Sequence, residues 1–438
     1  MEQDSRKESR LLAKDVIESL RASGQPPKLG ATTINVGTDR LLQKIGEFLD
    51  DQCARHDGRD GRGGCRWIEG DYGNGKTQFL RCVRELAWDR GFVVAFVELD
   101  QNTSPLDDMS KVFSAVARAL QAPPATCAEV DREKGFDTVL ESLLDRKFPG
   151  VLKGIPNEAL KKEALDWIKQ SLRRTPVESR PIANAAAKFL SAVIEGDSAT
   201  EDVTRELLRG GNVPQARLAK LEIFFRLDES TALDALKSVT QLLQRSGLAT
   251  GTIILFDEAR RTLSLMSTRA KKEACENLLT VINSCNEAAF PGTMFLYAVM
   301  PEFFTDFATQ YPALQQRCGD ATRVKINRME GVPEQDVLAA IADKIKHVYF
   351  EAYELGELDD GQQAALNRAF AQLSQSALRD SMGAGTRRLL VRTAVAYLDQ
   401  YRDDGHLADL SASSADSMSK DYGEELNKAA TVQGSDGE

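Results

Sequence analysis

Hydrophobic positions along the chain recur at two periods, and the change of period divides it. From about Ser5 to Leu20, the residues Leu11, Leu12, Val16, Ile17 and Leu20 return at helical spacing, which predicts an amphipathic helix. Ser23-Gly24-Gln25-Pro26-Pro27 ends it. After Ile34-Asn35-Val36-Gly37-Thr38-Asp39 a second helix is predicted through Leu41, Leu42, Ile45 and Phe48. The stretch from His56 to Gly64 combines Gly58, Gly61, Gly63 and Gly64 with Arg59 and Arg62, a flexible, basic loop by composition. A short strand, Cys65 to Glu69, leads through a glycine-rich turn into a helix from Lys76 to about Asp89. Phe92 to Leu99 is a run of β-branched and aromatic residues long enough for a buried parallel strand.

Helical periodicity then prevails from Pro105 to about Leu243, broken at Pro123-Pro124, Pro149-Gly150, Pro156, Pro176, Pro181 and Gly210-Gly211. A second buried strand is predicted at Thr252 to Phe256, a helix at about Ala270 to Cys285, a third strand at Thr293 to Val299 and a short one at Arg323 to Ile326. Helices follow at Pro333 to Ala352, Gly361 to Leu378 and Thr386 to Tyr401. From Ser411 the chain is rich in Ser, Asp, Gly and Glu, which predicts a disordered tail. Strands alternating with helices, then helices alone, predict an α/β core with a parallel sheet and an all-α appendage. The expected division is an N-terminal helical segment (1–27), a core in two parts (28–100 and 251–330), a helical insertion (101–250), a helical lid (331–410) and the tail (411–438).

Composition narrows the class. Hydrophobic residues are 42% and charged residues 28% of the 438, which excludes wholesale disorder. No apolar run approaches the roughly 18 to 20 residues that span a bilayer, and the charged amino terminus has no signal-peptide character. The seven cysteines are scattered and never spaced as CxxC, arguing for a reducing compartment and against a zinc site or disulfide framework. Three distant histidines offer no metal centre. A net charge of −10 argues against a general polyanion binder, while leaving room for a local basic patch. A soluble cytoplasmic protein without a membrane partner is expected.

The chemistry is concentrated in one string. Gly70-Asp71-Tyr72-Gly73-Asn74-Gly75-Lys76-Thr77 fits G-x-x-x-x-G-K-[ST] and lies between a predicted strand and a predicted helix. Glycines let backbone N–H groups turn inward around a phosphate, and the helix amino terminus adds its positive dipole end. Lys76 is expected to reach the β- and γ-phosphates, and Thr77 to offer its hydroxyl to Mg²⁺. With Gln78, these residues form the candidate nucleotide-binding set. The metal needs an acidic partner, and Thr252-Ile253-Ile254-Leu255-Phe256-Asp257-Glu258 is an apolar strand ending in two carboxylates. Asp257 is expected to hold Mg²⁺ through water, and Glu258 to polarise the attacking water. Arg317 is a candidate arginine finger across a subunit boundary, or an ordinary surface arginine. Arg387, at the start of a lid helix, either reaches back to the γ-phosphate or belongs to a solvated basic turn. Arg59 and Arg62 either touch a nucleic-acid backbone or only solubilise their loop. Trp67, Trp88 and Trp167 are expected in packing roles, and the cysteines as small buried hydrophobes.

These residues resemble a known family. Glu18 to Pro27, the Val36-Gly37 box, Gly70 to Leu80, Asp234-Ala235-Leu236, Leu255 to Glu258 and Ala298 to Phe304 look like the ATP-binding proteins of BREX-type phage-defence loci. The likeness covers most of residues 15 to 400. It implies a P-loop NTPase core of the AAA+ and STAND class with a helical lid, acting beside a helicase, nuclease or methyltransferase. Two departures stand out. The third strand of the family usually ends in Thr, Ser or Asn, where Met300 stands here, and Asp257-Glu258 is followed by Ala259-Arg260-Arg261 rather than a further acid. Those arginines are candidates for contact with a neighbouring subunit or a nucleic acid.

The leading expectation is an ATPase using Mg-ATP, active with a helicase or nuclease, touching DNA directly or through that partner, and homo-oligomeric where Arg317 acts across a subunit boundary. A nucleotide-dependent switch that binds ATP with little turnover is the alternative. A small-molecule kinase fits the helical insertion and lid poorly. A helicase in its own right lacks its further motifs.

Overall fold

The computed structural model describes residues 2–71, 73–100, 102, 105–124, 133–152, 157–258, 267–326, 332–380, 385–406 and 410–435. It is a mixed α/β protein with a six-stranded, mostly parallel sheet. The strands are β1 (Gly64–Glu69), β2 (Val93–Leu99), β3 (Leu120–Gln121), β4 (Thr252–Glu258), β5 (Thr293–Val299) and β6 (Arg323–Lys325), in the order β3-β2-β4-β5-β1-β6. β4 pairs in parallel with β2, from Val93↔Thr252 to Leu99↔Glu258, and with β5, from Thr252↔Thr293 to Asp257↔Ala298. Every residue of β5 is buried, the pattern of a strand covered on both faces. The two-residue β3, antiparallel to β2, has no periodic signal in the sequence.

The chain packs into two compact units, and neither is a single stretch of sequence. One comprises Met1–Gln43, Glu69–Glu85 and Lys325–Glu438; the other comprises Lys44–Ile68 and Leu86–Val324.

The second unit contains most of the sheet and all of the insertion. Its core is aromatic where β1, β4 and β5 lie side by side: Trp67 stacks on Tyr297 and Phe303 at 4.9 and 4.8 Å, and Tyr297 stacks on Phe256 at 4.8 Å. The insertion is built from α4 (Met109–Ala119), α5 (Phe136–Lys147), α6 (Glu158–Trp167), α7 (Arg180–Glu195), α8 (Ser198–Leu208), α9 (Gln215–Lys220) and α10 (Glu229–Arg245). α5 and α8 are joined through the fully buried Asp137, which accepts from Arg205 and from Arg209, the latter at 2.8 and 2.9 Å. After β4 come α11 (Thr268–Asn286) and the short α12 (Pro312–Arg317).

The glycine-rich loop before β1 is held rather than free, contrary to its composition. Gly61 donates to Gln244 Oε1 at 3.1 Å and accepts from Gly292 at 3.0 Å, while Arg245 pairs with Asp60 at 2.7 Å. A side chain at Gly61 would meet the Cys53 carbonyl at 1.8 Å. That glycine serves close backbone approach, not flexibility. The six described cysteines are buried, as expected of small hydrophobes.

The first unit gathers α1 (Glu2–Ser23), the amino-terminal half of α2 (Asp39–Phe48), most of α3 (Lys76–Trp88), and the helices α13 (Glu334–Tyr353), α14 (Asp360–Asp380), α15 (Thr386–Asp404) and α16 (Ala412–Ser435). Val16, Ile17 and Leu20 of α1 enter one core with Ile345, Tyr349 and Leu398. The expected disordered tail is corrected here: residues 412–435 form α16, with Ala415 and Ser419 fully buried. Asp416 accepts from Ser376 and Arg379, and Arg392 pairs with Glu425 at 2.7 Å. Ala415, Met418 and Tyr422 recur at helical spacing within the polar composition, and that thin stripe suffices because α14 and α15 supply the other half of the contact. Among the described residues, no helix is long and apolar enough to cross a membrane.

Candidate functional site

The glycine-rich turn follows β1 directly, where Glu69 O accepts from Ile326 N–H at 2.9 Å. Gly73 and Gly75 take left-handed backbone conformations, φ 80° and 89°, which side-chain-bearing residues rarely adopt. α3 then starts at Lys76, so the turn ends on a helix amino terminus. Lys76 is buried, and its ammonium folds back to donate to Gly70 O at 2.7 Å and Asp71 O at 3.1 Å. The lysine thereby draws the first two carbonyls of the turn toward the helix end. The result is a loop closed around a cation and facing the positive pole of a helix, an arrangement suited to an anion.

α3 is fixed from outside by the segment after α1. Glu85 accepts from Ala31 N–H at 2.8 Å, from Thr32 N–H at 3.1 Å and from the Thr32 hydroxyl at 2.7 Å. Arg81 and Arg84 donate to Pro26 O and Lys28 O, and Gln78 directs its amide nitrogen to Ala31 O at 2.6 Å. Burial brings the Arg84 guanidinium down to about 10 and pushes the Cys82 thiol up to about 12, marking how dry the outer face of α3 is.

The amino-terminal end of α15 reaches the same loop. Gly385, φ 82°, precedes α15 and lies so close to Gly73 that a side chain on Gly73 would meet the Gly385 Cα at 2.9 Å. Two residues on, Arg387 donates from Nη1 to Asn74 O at 3.0 Å and from Nε to Glu334 Oε1 at 3.3 Å. Sequence reasoning nominated Arg387 but missed Glu334 and Gly385. Glu334 reads as an ordinary acid in a first helical turn, and nothing in the string marks its partner.

The remaining candidates belong to the second unit. Asp257 is buried, in register between Glu98 of β2 and Ala298 of β5; Glu258 ends β4 opposite Leu99. Met300 comes immediately after β5. Arg317 ends α12, exposed, its guanidinium without a hydrogen-bond or ion-pair partner among the described residues. Tyr72 and Ala259-Arg260-Arg261 lie outside the described residues. Trp67 and Trp88 are buried and Trp167 packs against Phe148, so all three serve packing.

A mostly parallel sheet feeding a glycine-rich turn over a buried lysine belongs to the class of α/β nucleotide-binding proteins. Within that class, the chain belongs to the family of BREX system ATP-binding proteins BrxC/D, whose family model matches residues 9–409. No curated protein and no solved structure matches it. Family membership supports ATP binding in a defence system.

Proposed function

We propose that the chain is an AAA+/STAND-like ATPase of the cytoplasm, binding Mg-ATP at Gly70 to Gln78 and passing its nucleotide state to a helicase or nuclease partner through the lid. The observation that carries this reading is the convergence of Lys76 and Arg387 on one glycine-rich loop. Lys76 donates to neutral carbonyls, and Arg387 divides its donors between the neutral Asn74 carbonyl and the Glu334 carboxylate. A phosphate oxygen is a stronger acceptor than a carbonyl for either, because charge-assisted hydrogen bonds are roughly twice as strong as neutral ones. In this reading Lys76 transfers from Gly70 and Asp71 to the β- and γ-phosphates, and Arg387 transfers from Asn74 to the γ-phosphate.

Thr77 and Asp257 carry a hydroxyl and a carboxylate, hard oxygen donors of the kind Mg²⁺ takes. Mg²⁺ held there would neutralise charge between the β- and γ-phosphates. Glu258 accepts the proton of the attacking water at its carboxylate. Arg317, exposed and unpaired among the described residues, serves a neighbouring copy in a homo-oligomer. Met300 favours the second reading, a nucleotide-dependent switch, since a thioether does not orient water as Thr, Ser or Asn does.

Steady-state ATP turnover by wild type and Glu258→Gln, with and without DNA, tests the proposal. Retained binding with turnover lost in the variant supports hydrolysis at this site. Unchanged turnover removes Glu258 from the role, and tight binding without turnover in either protein favours the switch.

A further inference from the structure

The insertion carries a run of cations with few acids beside it, Asp166 at its start and Glu178 within it. Between Trp167 and Lys188 the chain has Lys169, Arg173, Arg174, Arg180 and Lys188 against one acid, Glu178, in a protein of net charge −10. None of the five has an ion-pair partner among the described residues. Several cations on neighbouring helices are paired instead: Arg205 with Asp137 and Glu141, Lys237 with Asp234, Arg245 with Asp60.

The fold gathers Lys169, Arg173, Arg180 and Lys188 into one stripe, with Arg174 next to Arg173 in the chain. Lys169 and Arg173 are four residues apart on a helical turn that extends α6. Arg173 donates from Nε to Asn184 Oδ1 on α7 at 3.2 Å, and Arg180 donates to Thr175 O at 3.2 Å. Arg180, Asn184 and Lys188 then recur every fourth residue along α7, its outward stripe, because residues 182–183, 185–187 and 189–190 are buried. From Arg180 to Lys188 the stripe runs about 12 Å at 1.5 Å per residue. Clustered like charges repel one another, and an anionic partner relieves that repulsion.

We propose that this stripe seats the phosphate backbone of duplex DNA, without base specificity. Its length matches roughly three to four base pairs at 3.4 Å each. Exposed Gln170 and Ser171, with half-exposed Asn184, lie among the cations, the mixture of side chains that contacts phosphates and sugars. No large exposed hydrophobic residue lies within the stripe, whereas a protein interface is organised around apolar anchors. The inference is independent of the nucleotide reading.

The test uses the full chain and a short labelled duplex of mixed sequence, titrated by fluorescence anisotropy over a series of salt concentrations. Lys169→Ala with Lys188→Ala removes two charges whose side chains hold no hydrogen bond among the described residues, and Arg174→Ala provides a second variant. With thermal unfolding and ATP affinity unchanged, the double variant is expected to lose affinity about tenfold. Its slope of log affinity against log salt is expected to fall by about 2. Equal affinity and slope in wild type and both variants overturns the proposal. So does a wild type that ignores the duplex but binds polyglutamate through these residues, which assigns the stripe to an acidic protein.

Discussion

At the scale of single residues, Arg387 is the most informative side chain, because it ties the lid to the backbone of the loop it is proposed to read. A charge-assisted hydrogen bond contributes about 1.5–3 kcal/mol. Arg387→Ala is therefore expected to lower ATP affinity about tenfold or more, with ADP affinity nearly unchanged and Arg387→Lys intermediate. Titrations with the two nucleotides check this, and an equal loss for both would mean that the guanidinium steadies the loop and does not read the γ-phosphate. The loop itself was legible in the sequence because its chemistry is local: spacing, glycines and lysine all fall within eight residues. Arg387 was legible only as a candidate, since its acceptor lies 313 positions away. Glu334 and Gly385 were illegible for the same reason, each taking its meaning from a contact made across the fold.

At the scale of elements, α1 shows how a terminal helix is fastened. Arg21 donates to Asp399 on α15 at 2.7 and 2.8 Å, and Tyr349 on α13 donates to the same carboxylate at 2.6 Å. Burial alone pushes the Asp399 carboxyl up; hydrogen bonds from Arg21 and Tyr349 outweigh it and hold it below the usual range. A carboxyl depressed in the folded state stabilises fully above its unfolded value, about 3.9, and the contribution is lost as pH falls through the folded value. Acid titration followed by circular dichroism is thus expected to show wild type losing stability below about pH 4. Asp399→Asn is expected to begin less stable by about 1–3 kcal/mol and to lose less in the same window; parallel acid curves would assign the acid sensitivity elsewhere. Strong periodicity made β2, β4, β5 and the lid helices readable to within a few residues. α16 was not, because Ser, Asp, Gly and Glu dominate its composition while burial depends on a few apolar positions and on charges that pair with α14 and α15.

At the scale of the whole molecule, hydrophobic pattern made the α/β class and the helical appendage legible, but not which segments pack together. The linear division set residues 1–27 and 331–410 apart from the core, whereas contacts unite both ends of the chain with Glu69–Glu85. No local signal encodes that grouping: it arises from bonds such as Glu85 to Ala31 and Arg387 to Asn74. A chain ending before Lys325 is accordingly expected to bind ATP at least tenfold more weakly than the full chain, even though its glycine-rich loop is intact. Isothermal titration of both proteins checks this, and equal affinities would mean that the loop needs nothing from the lid.

The discontinuity also has a meaning in time. After Asn74, a ribosome adds 313 more residues to reach Arg387. At about 5–20 residues per second the nascent chain waits roughly 15 to 60 seconds for the arginine that completes the loop's surroundings. In the proposed reading, competence to sense nucleotide therefore follows the motif by that delay, so a polypeptide released between the two carries the motif without the response.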